Sequence, residues 1–175
     1  MAQLIHRKDY RPFPFEVVEC RLSFEIFADH TIVSSQIEFT SNPKYQGLPE
    51  VCTLDGTDLE ILELKLDGRI LENGTDYNYQ EQKLELLKTK DKKHFHFAAK
   101  VKIDPYNNKS LEGMYRSGNI LCTQNEATGF RHITFYPDRP DVMSRFITEI
   151  EADSLQYPKL LSNGNLPVAG RALAG

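Results

Sequence analysis

The sequence predicts an all-β domain, and three observations point there. Apolar and polar residues alternate with period two over most of the chain, turn-forming pairs recur at short intervals, and no window of helical length carries a 3.6-residue apolar stripe. With 175 residues the chain fits one domain, residues 1–175, large enough to close a hydrophobic core without disulfides. Its 40% hydrophobic and 26% charged residues set it apart from disordered chains, which cannot bury enough apolar surface to order themselves.

The elements follow in order. In EVVECRLSFEIF, Val18, Cys20, Leu22, Phe24 and Ile26 fall on one face and Glu19, Arg21 and Glu25 on the other, as a half-buried strand requires. Ala28-Asp29-His30 makes a short turn, and Val33, Ile37 and Phe39 carry the pattern back as the second strand of a hairpin. In LELKLDGRILENG, Leu62, Leu64 and Leu66 alternate with Glu63, Lys65 and Asp67. Asp67-Gly68 supplies the positive φ angles of a tight hairpin turn, and Asn73-Gly74 marks the next turn. YNYQEQKLELLK and KHFHFAAKVKI read as further strands, the second with Phe95, Phe97, Val101 and Ile103 on one face. The basic run KTKDKK at 88–93 lies between them and reads as a solvated hairpin tip. From Asp104 to Gly129 the alternation fades into a long, polar, glycine-punctuated loop. The β pattern resumes in FRHITFY, in MSRFITEIEA and around YPKLLSNG, where Asn163-Gly164 predicts another hairpin turn. The return strand after it stops short, so the domain reads as truncated before its last strands.

A net charge of −4 gives no broad electrostatic reason to bind nucleic acid or an anionic membrane. The apolar runs are too short to span a bilayer and the first fifteen residues lack a signal-peptide core, which makes cytoplasmic the expected location. Three widely spaced cysteines, Cys20, Cys52 and Cys122, suit buried thiols in a reducing compartment and not a disulfide framework. Gly113 and Gly118 have P-loop spacing, but Asn119 stands where lysine is needed and no helix follows, so nucleotide binding is rejected. His94 and His96 share one strand face and could hold a metal, but no third ligand lies near them in sequence. Two solvent-facing histidines opposite Phe95 and Phe97 is the plainer reading. There is no G-x-S-x-G elbow and no H-E-x-x-H, so the chain carries no complete active site by motif.

One segment departs from plain β-structure. Residues 121–142, LCTQNEATGFRHITFYPDRPDV, crowd Gln124, Glu126, Arg131, His132, Asp138, Arg139 and Asp141 together, with Gly129 as a hinge point and Pro137 and Pro140 stiffening the far end. Within it His132 reads as a structural histidine in an alternating strand, and D-R-P-D as a rigid turn with Arg139 paired to a carboxylate.

The stretch LEGMYRSGNILCTQNEATGFRHITFYPDRPDVMSRF, with YPKLLSNGN at 157–165, closely resembles the N-terminal domain of the aminopeptidase N family of zinc-dependent gluzincins, in its bacterial alanyl aminopeptidase branch. The likeness runs in order from about Asp9, through YRPFPF, to Asn165. It implies a saddle-shaped arrangement of β-sheets, followed in the same polypeptide by a zinc-binding catalytic domain with H-E-x-x-H and G-x-M-E-N motifs and by helical C-terminal domains. It implies peptide substrates, zinc as the cofactor of the full-length enzyme with none bound by this chain, and a chain inactive by itself. The family's T-Q-x-E-A segment aligns on Thr123 to Ala127. By that resemblance Glu126 binds the substrate's α-ammonium group and Gln124 lines the pocket for the first side chain. The alternative is a free-standing β-sandwich binding module that kept the scaffold without the catalysis; a self-contained hydrolase lacks a nucleophile or metal set.

Overall fold

A computed structural model of the chain describes residues 10–47 and 50–165. Its strands, in chain order, are β1 (Phe15–Ile26), β2 (Thr31–Ser41), β3 (Cys52–Asp55), β4 (Glu60–Leu66), β5 (Arg69–Ile70), β6 (Tyr77–Gln80), β7 (Lys83–Leu86), β8 (His94–Ile103), β9 (Gly113–Ser117), β10 (Ile120–Gln124) and β11 (Arg145–Ala152). They build a six-stranded sheet in the order β11-β1-β2-β8-β4-β5, a three-stranded sheet β3-β7-β6, and the ribbon β10-β9. The fold is all-β, as the alternation predicts. Every pairing is antiparallel except β1 with β11, which run parallel. A parallel neighbour cannot be reached by a tight turn, and β1 and β11 are the first and last of these strands in the chain.

Period two holds where the ladder is regular and slips where it bulges. In β1 the register jumps between Val17 and Glu19, so Val17 is buried at 4% exposure and Val18 stands out at 46%, the reverse of the expected face for Val18. In β4 a jump between Ile61 and Glu63 turns Leu62 out at 45% exposure while Leu64 is buried at 2%. One extra residue in a bulge inverts the pattern on one side of it.

The inner face of the large sheet supplies Cys20, Leu22, Phe24, Val33, Ile37, Phe39, Phe95, Phe97 and Val101 to a core that also takes Leu54, Leu84 and Leu86 from the small sheet. Phe39 and Phe95 stack at 4.9 Å across β2 and β8. Between the sheets runs 133–138, buried throughout. Thr134 shares a 2.8 Å hydrogen bond with Ser35 of β2, Tyr136 exchanges two backbone hydrogen bonds with Asp55 of β3, and Phe135 meets Tyr79 of β6 edge to face. FRHITFY is therefore not a ladder strand. Its first residues, Phe130–His132, form a 3-10 turn and the rest is an extended core filler joined to the small sheet by a single bridge.

Other expectations are corrected. YNYQEQKLELLK folds back on itself at Glu81-Gln82 as the β6–β7 hairpin. The basic run at 88–93 is no hairpin tip but the crossing from β7 to β8 in the other sheet, begun by a 3-10 turn at Leu87–Thr89. Buried Thr89 holds it there, its hydroxyl accepting from Cys52 N and donating to Leu86 O, each at 2.7 Å. Within the expected loop 104–129, residues 113–124 close as the two-stranded ribbon. YPKLLSNG forms no strand. Tyr157 instead turns back to share a 2.9 Å hydrogen bond with Tyr106, and Gly164 takes a positive φ in an exposed stretch. The expected return strand after Asn163-Gly164 falls on residues outside those described.

Candidate functional site

The two residues singled out for substrate contact lie at the end of the β9–β10 ribbon. Gln124 is the last residue of β10, paired with Gly113, and the chain then makes a tight loop closed by Gly129 N–H donating to Asn125 O at 3.0 Å. The structure brings the pair together, for Gln124 Oε1 accepts from Glu126 N at 3.2 Å. The Glu126–Ala127 peptide is cis. Both side chains are exposed, and among the described residues no cation or donor side chain meets the Glu126 carboxylate.

The loop rests on a backbone stack. A Cβ on Gly129 would lie 2.3 Å from Gln124 O and 2.9 Å from Asn125 Cα, so only glycine lets the loop close on its own base. Gly129 has φ −83, an ordinary value, and acts as a close-contact point instead of the expected hinge. A Cβ on Gly113 would lie 2.5 Å from His132 Cβ, which brings the ribbon's start against the 3-10 turn as well.

That turn is anchored by Arg131. Its N–H and Nε donate to Asp138 Oδ2 at 3.2 and 3.0 Å, Nη2 donates to Asp138 O at 3.2 Å, and Nη1 lies 3.5 Å from Asp55 Oδ1. Its carbonyl accepts from Thr57 N at 2.9 Å. Asp138 N donates to Asp55 Oδ2 at 3.1 Å, and Lys83 Nζ donates to the other oxygen of Asp55. Both carboxylates are buried, and burying a charge is tolerated only with partners such as these. Sequence reasoning missed the cluster because Asp55 and Lys83 lie far upstream of Arg131 and no spacing rule connects them.

His132 is in the 3-10 turn, not in a strand, and sits between Asp58 at 3.6 Å and Glu112 at 3.5 Å. D-R-P-D is the expected turn: Arg139 Nε and Nη2 donate to the two oxygens of Asp141, each at 2.9 Å, and Nη2 also reaches Arg11 O at 2.7 Å. Asp138 and Asp141 thus serve different arginines. His94 and His96 stand on the solvent face of β8, with His94 Nε2 2.9 Å from Glu38 Oε1 and Phe95 and Phe97 buried behind them. Among the described residues no group of three or more His, Cys, Asp or Glu side chains is placed to hold a metal ion.

The peptidase M1 N-terminal domain family matches residues 8–170 of the chain. The chain belongs to that family. This peptidase M1 N-terminal domain is 43% identical over 173 residues to aminopeptidase N of Caulobacter vibrioides, covering 99% of the chain and 19% of that relative. Its fold matches Legionella pneumophila aminopeptidase A, solved in complex with aspartic acid, with a TM-score of 0.83 at 22% identity over 92% of this chain and 19% of that one. It also matches an M1 zinc metallopeptidase from Deinococcus radiodurans, with a TM-score of 0.63 at 12% identity over 80% of this chain and 33% of that one. The M1 N-terminal domain thus spans about a fifth of the length of the aminopeptidase N it resembles.

Proposed function

We propose that this domain is the substrate-amine anchor of a zinc aminopeptidase that removes N-terminal residues from peptides, its catalytic zinc domain and helical domains following in the same polypeptide. The observation that carries the reading is the Glu126 carboxylate, exposed and without a partner among the described residues, on a loop whose backbone is locked to its base. An exopeptidase must distinguish a free α-ammonium from an internal amide, and a carboxylate in a partly desolvated cleft does so through a charge-assisted hydrogen bond. Gln124, fixed beside it, shapes the pocket for the first side chain. The M1 family and the 43% identity to an aminopeptidase N support this assignment. Zinc belongs to the domain that follows, and this domain alone is inactive because the H-E-x-x-H ligand set is not in its sequence. Three free cysteines suit a cytoplasmic location, and no helix among the described residues is long and apolar enough to cross a membrane.

In the full-length enzyme Glu126→Gln should lower kcat/KM on aminoacyl anilides by on the order of 2 to 4 kcal/mol, the worth of one charge-assisted hydrogen bond in a closed site, with the thermal melt unchanged. Gln124→Ala should act more mildly and mainly alter the preference among first side chains. A Glu126→Gln enzyme within about twofold of wild type in kcat/KM overturns the amine-anchor role.

A further inference from the structure

The loop that carries Glu126 has little of its own to hold it. Gln124, Glu126, Ala127 and Thr128 are exposed, and its internal hydrogen bonds are Gly129 N to Asn125 O and Glu126 N to Gln124 Oε1. Its placement is therefore inherited from the 3-10 turn it closes upon. Through Gly129, the backbone of that turn passes directly beneath Gln124 O and Asn125 Cα, too close for a side chain between them. Phe130 and His132 pack the turn's two ends, against Tyr136 and Phe146 and beside Asp58 and Glu112, and Arg131 ties its middle to buried charge by three donations to Asp138, an approach to Asp55 and a hydrogen bond accepted from Thr57. We infer that Arg131 is a positioning residue for Glu126, transmitting the rigidity of the buried Asp55–Asp138 pair to the amine-binding loop; this rests on the reading of Glu126 given above.

The chemistry suits arginine in particular. Asp55 is held on β3 inside the small sheet and Asp138 on the core-filling segment, two elements far apart in sequence. A planar guanidinium hydrogen-bonds Asp138 while holding a second nitrogen 3.5 Å from Asp55, and keeps its plane, which the point charge of a lysine cannot do. Lys83, the other cation on Asp55, is 53% exposed, whereas the Arg131 side chain is 22% exposed and directs Nε, Nη1 and Nη2 to Asp138 and Asp55. Arg131 acts through the loop, and a displacement there is expensive because catalysis depends steeply on the placement of binding groups.

The test is a double-mutant cycle in the full-length enzyme with Arg131→Gln, Glu126→Gln and the double variant. The kinetics are read with aminoacyl anilides, beside amide hydrogen exchange of residues 125–129. Arg131→Gln alone should lower kcat/KM by about tenfold or more, and Gly129 N–H should exchange faster. On the Glu126→Gln background the same change should cost less than about twofold, because the group it positions is gone. Arg131→Lys should fall between wild type and Arg131→Gln. Where Arg131→Gln does not fold, Asp138→Asn removes the charge partner with little change of shape and takes its place in the cycle. An equal loss on both backgrounds shows a purely structural arginine and overturns the inference while leaving the amine anchor intact; so does unchanged activity of the arginine variant beside an impaired Glu126→Gln. Glu126→Gln at wild-type activity instead overturns the amine anchor and this inference with it, although faster exchange at Gly129 would still mark Arg131 as the loop's support.

Discussion

Cys20 and Cys52 are fully buried, and burial alone pushes the Cys20 thiol up to about 12 and the Cys52 thiol well above its ordinary value. The thiolate is the reactive species, so neither should be alkylated at pH 8 while the protein stays folded. Cys122 is half-buried on the open β9–β10 ribbon and should react first. A thiol titration should therefore find one accessible group in the native protein and all three in denaturant. Labelling of Cys20 as fast as Cys122 would contradict the buried placement. The presence of three free thiols was legible from their spacing. Which of them faces solvent was not, because Cys122 falls in a stretch whose alternation is too weak to show a face.

At the scale of elements, regular strands were legible and irregularities were not. β1, β2 and β8 announce themselves by alternation, and Asp67-Gly68 announces its hairpin, with φ of 50 and 82 at the two turn positions. The β6–β7 turn carries no such signal. Glu81 and Gln82 take φ of 49 and 63 without a glycine or asparagine, so the hairpin is imposed by the pairing of its strands and by Gln82, whose carbonyl accepts from Gly56 N at 3.0 Å. A side chain other than Gly, Asn or Asp is costly in that region. Exposed Glu81, whose side chain has no partner among the described residues, should be improved by Glu81→Asn, raising stability in urea unfolding by up to about 1 kcal/mol. A loss of stability would mean the Glu81 side chain has a role the turn geometry does not reveal.

Across the whole molecule, carboxylates held ionised secure local turns, and one of them, Asp141, ties distant segments together. Asp76 accepts a two-pronged hydrogen bond from Arg69, which together with Glu72 N–H lowers its pKa. Burial opposes ionisation of Asp141, yet the hydrogen bonds from Arg139 and Tyr10 outweigh it and its pKa is lowered too, binding residues 10–11 to the D-R-P-D turn. Hydrogen bonds from the Asn107 side chain and backbone likewise lower Asp104. A carboxylate with a depressed folded pKa contributes stability that is complete above its unfolded value of about 3.9 and is lost as pH falls through the folded one. The melting temperature should accordingly hold steady near pH 6 and fall below about pH 4. Asp76→Asn should flatten that fall, and an unchanged acid profile would show that the Arg69 pairing does not survive in solution.

The sequence by itself determined the all-β class, the faces of its regular strands and the family, because each of these is written in local periodicity or in a contiguous motif. Only the tertiary structure decided that FRHITFY fills the core, that bulges expel Val18 and Leu62, and that Gly129 serves as a close contact. It alone joined Arg131 and Asp138 to Asp55 and Lys83. Periodicity reports which face of a strand is apolar but not where a ladder slips by one residue, and nothing local records which buried charge another segment will neutralise. Those outcomes are settled only when two sheets close on one core and every charge caught between them must find a partner.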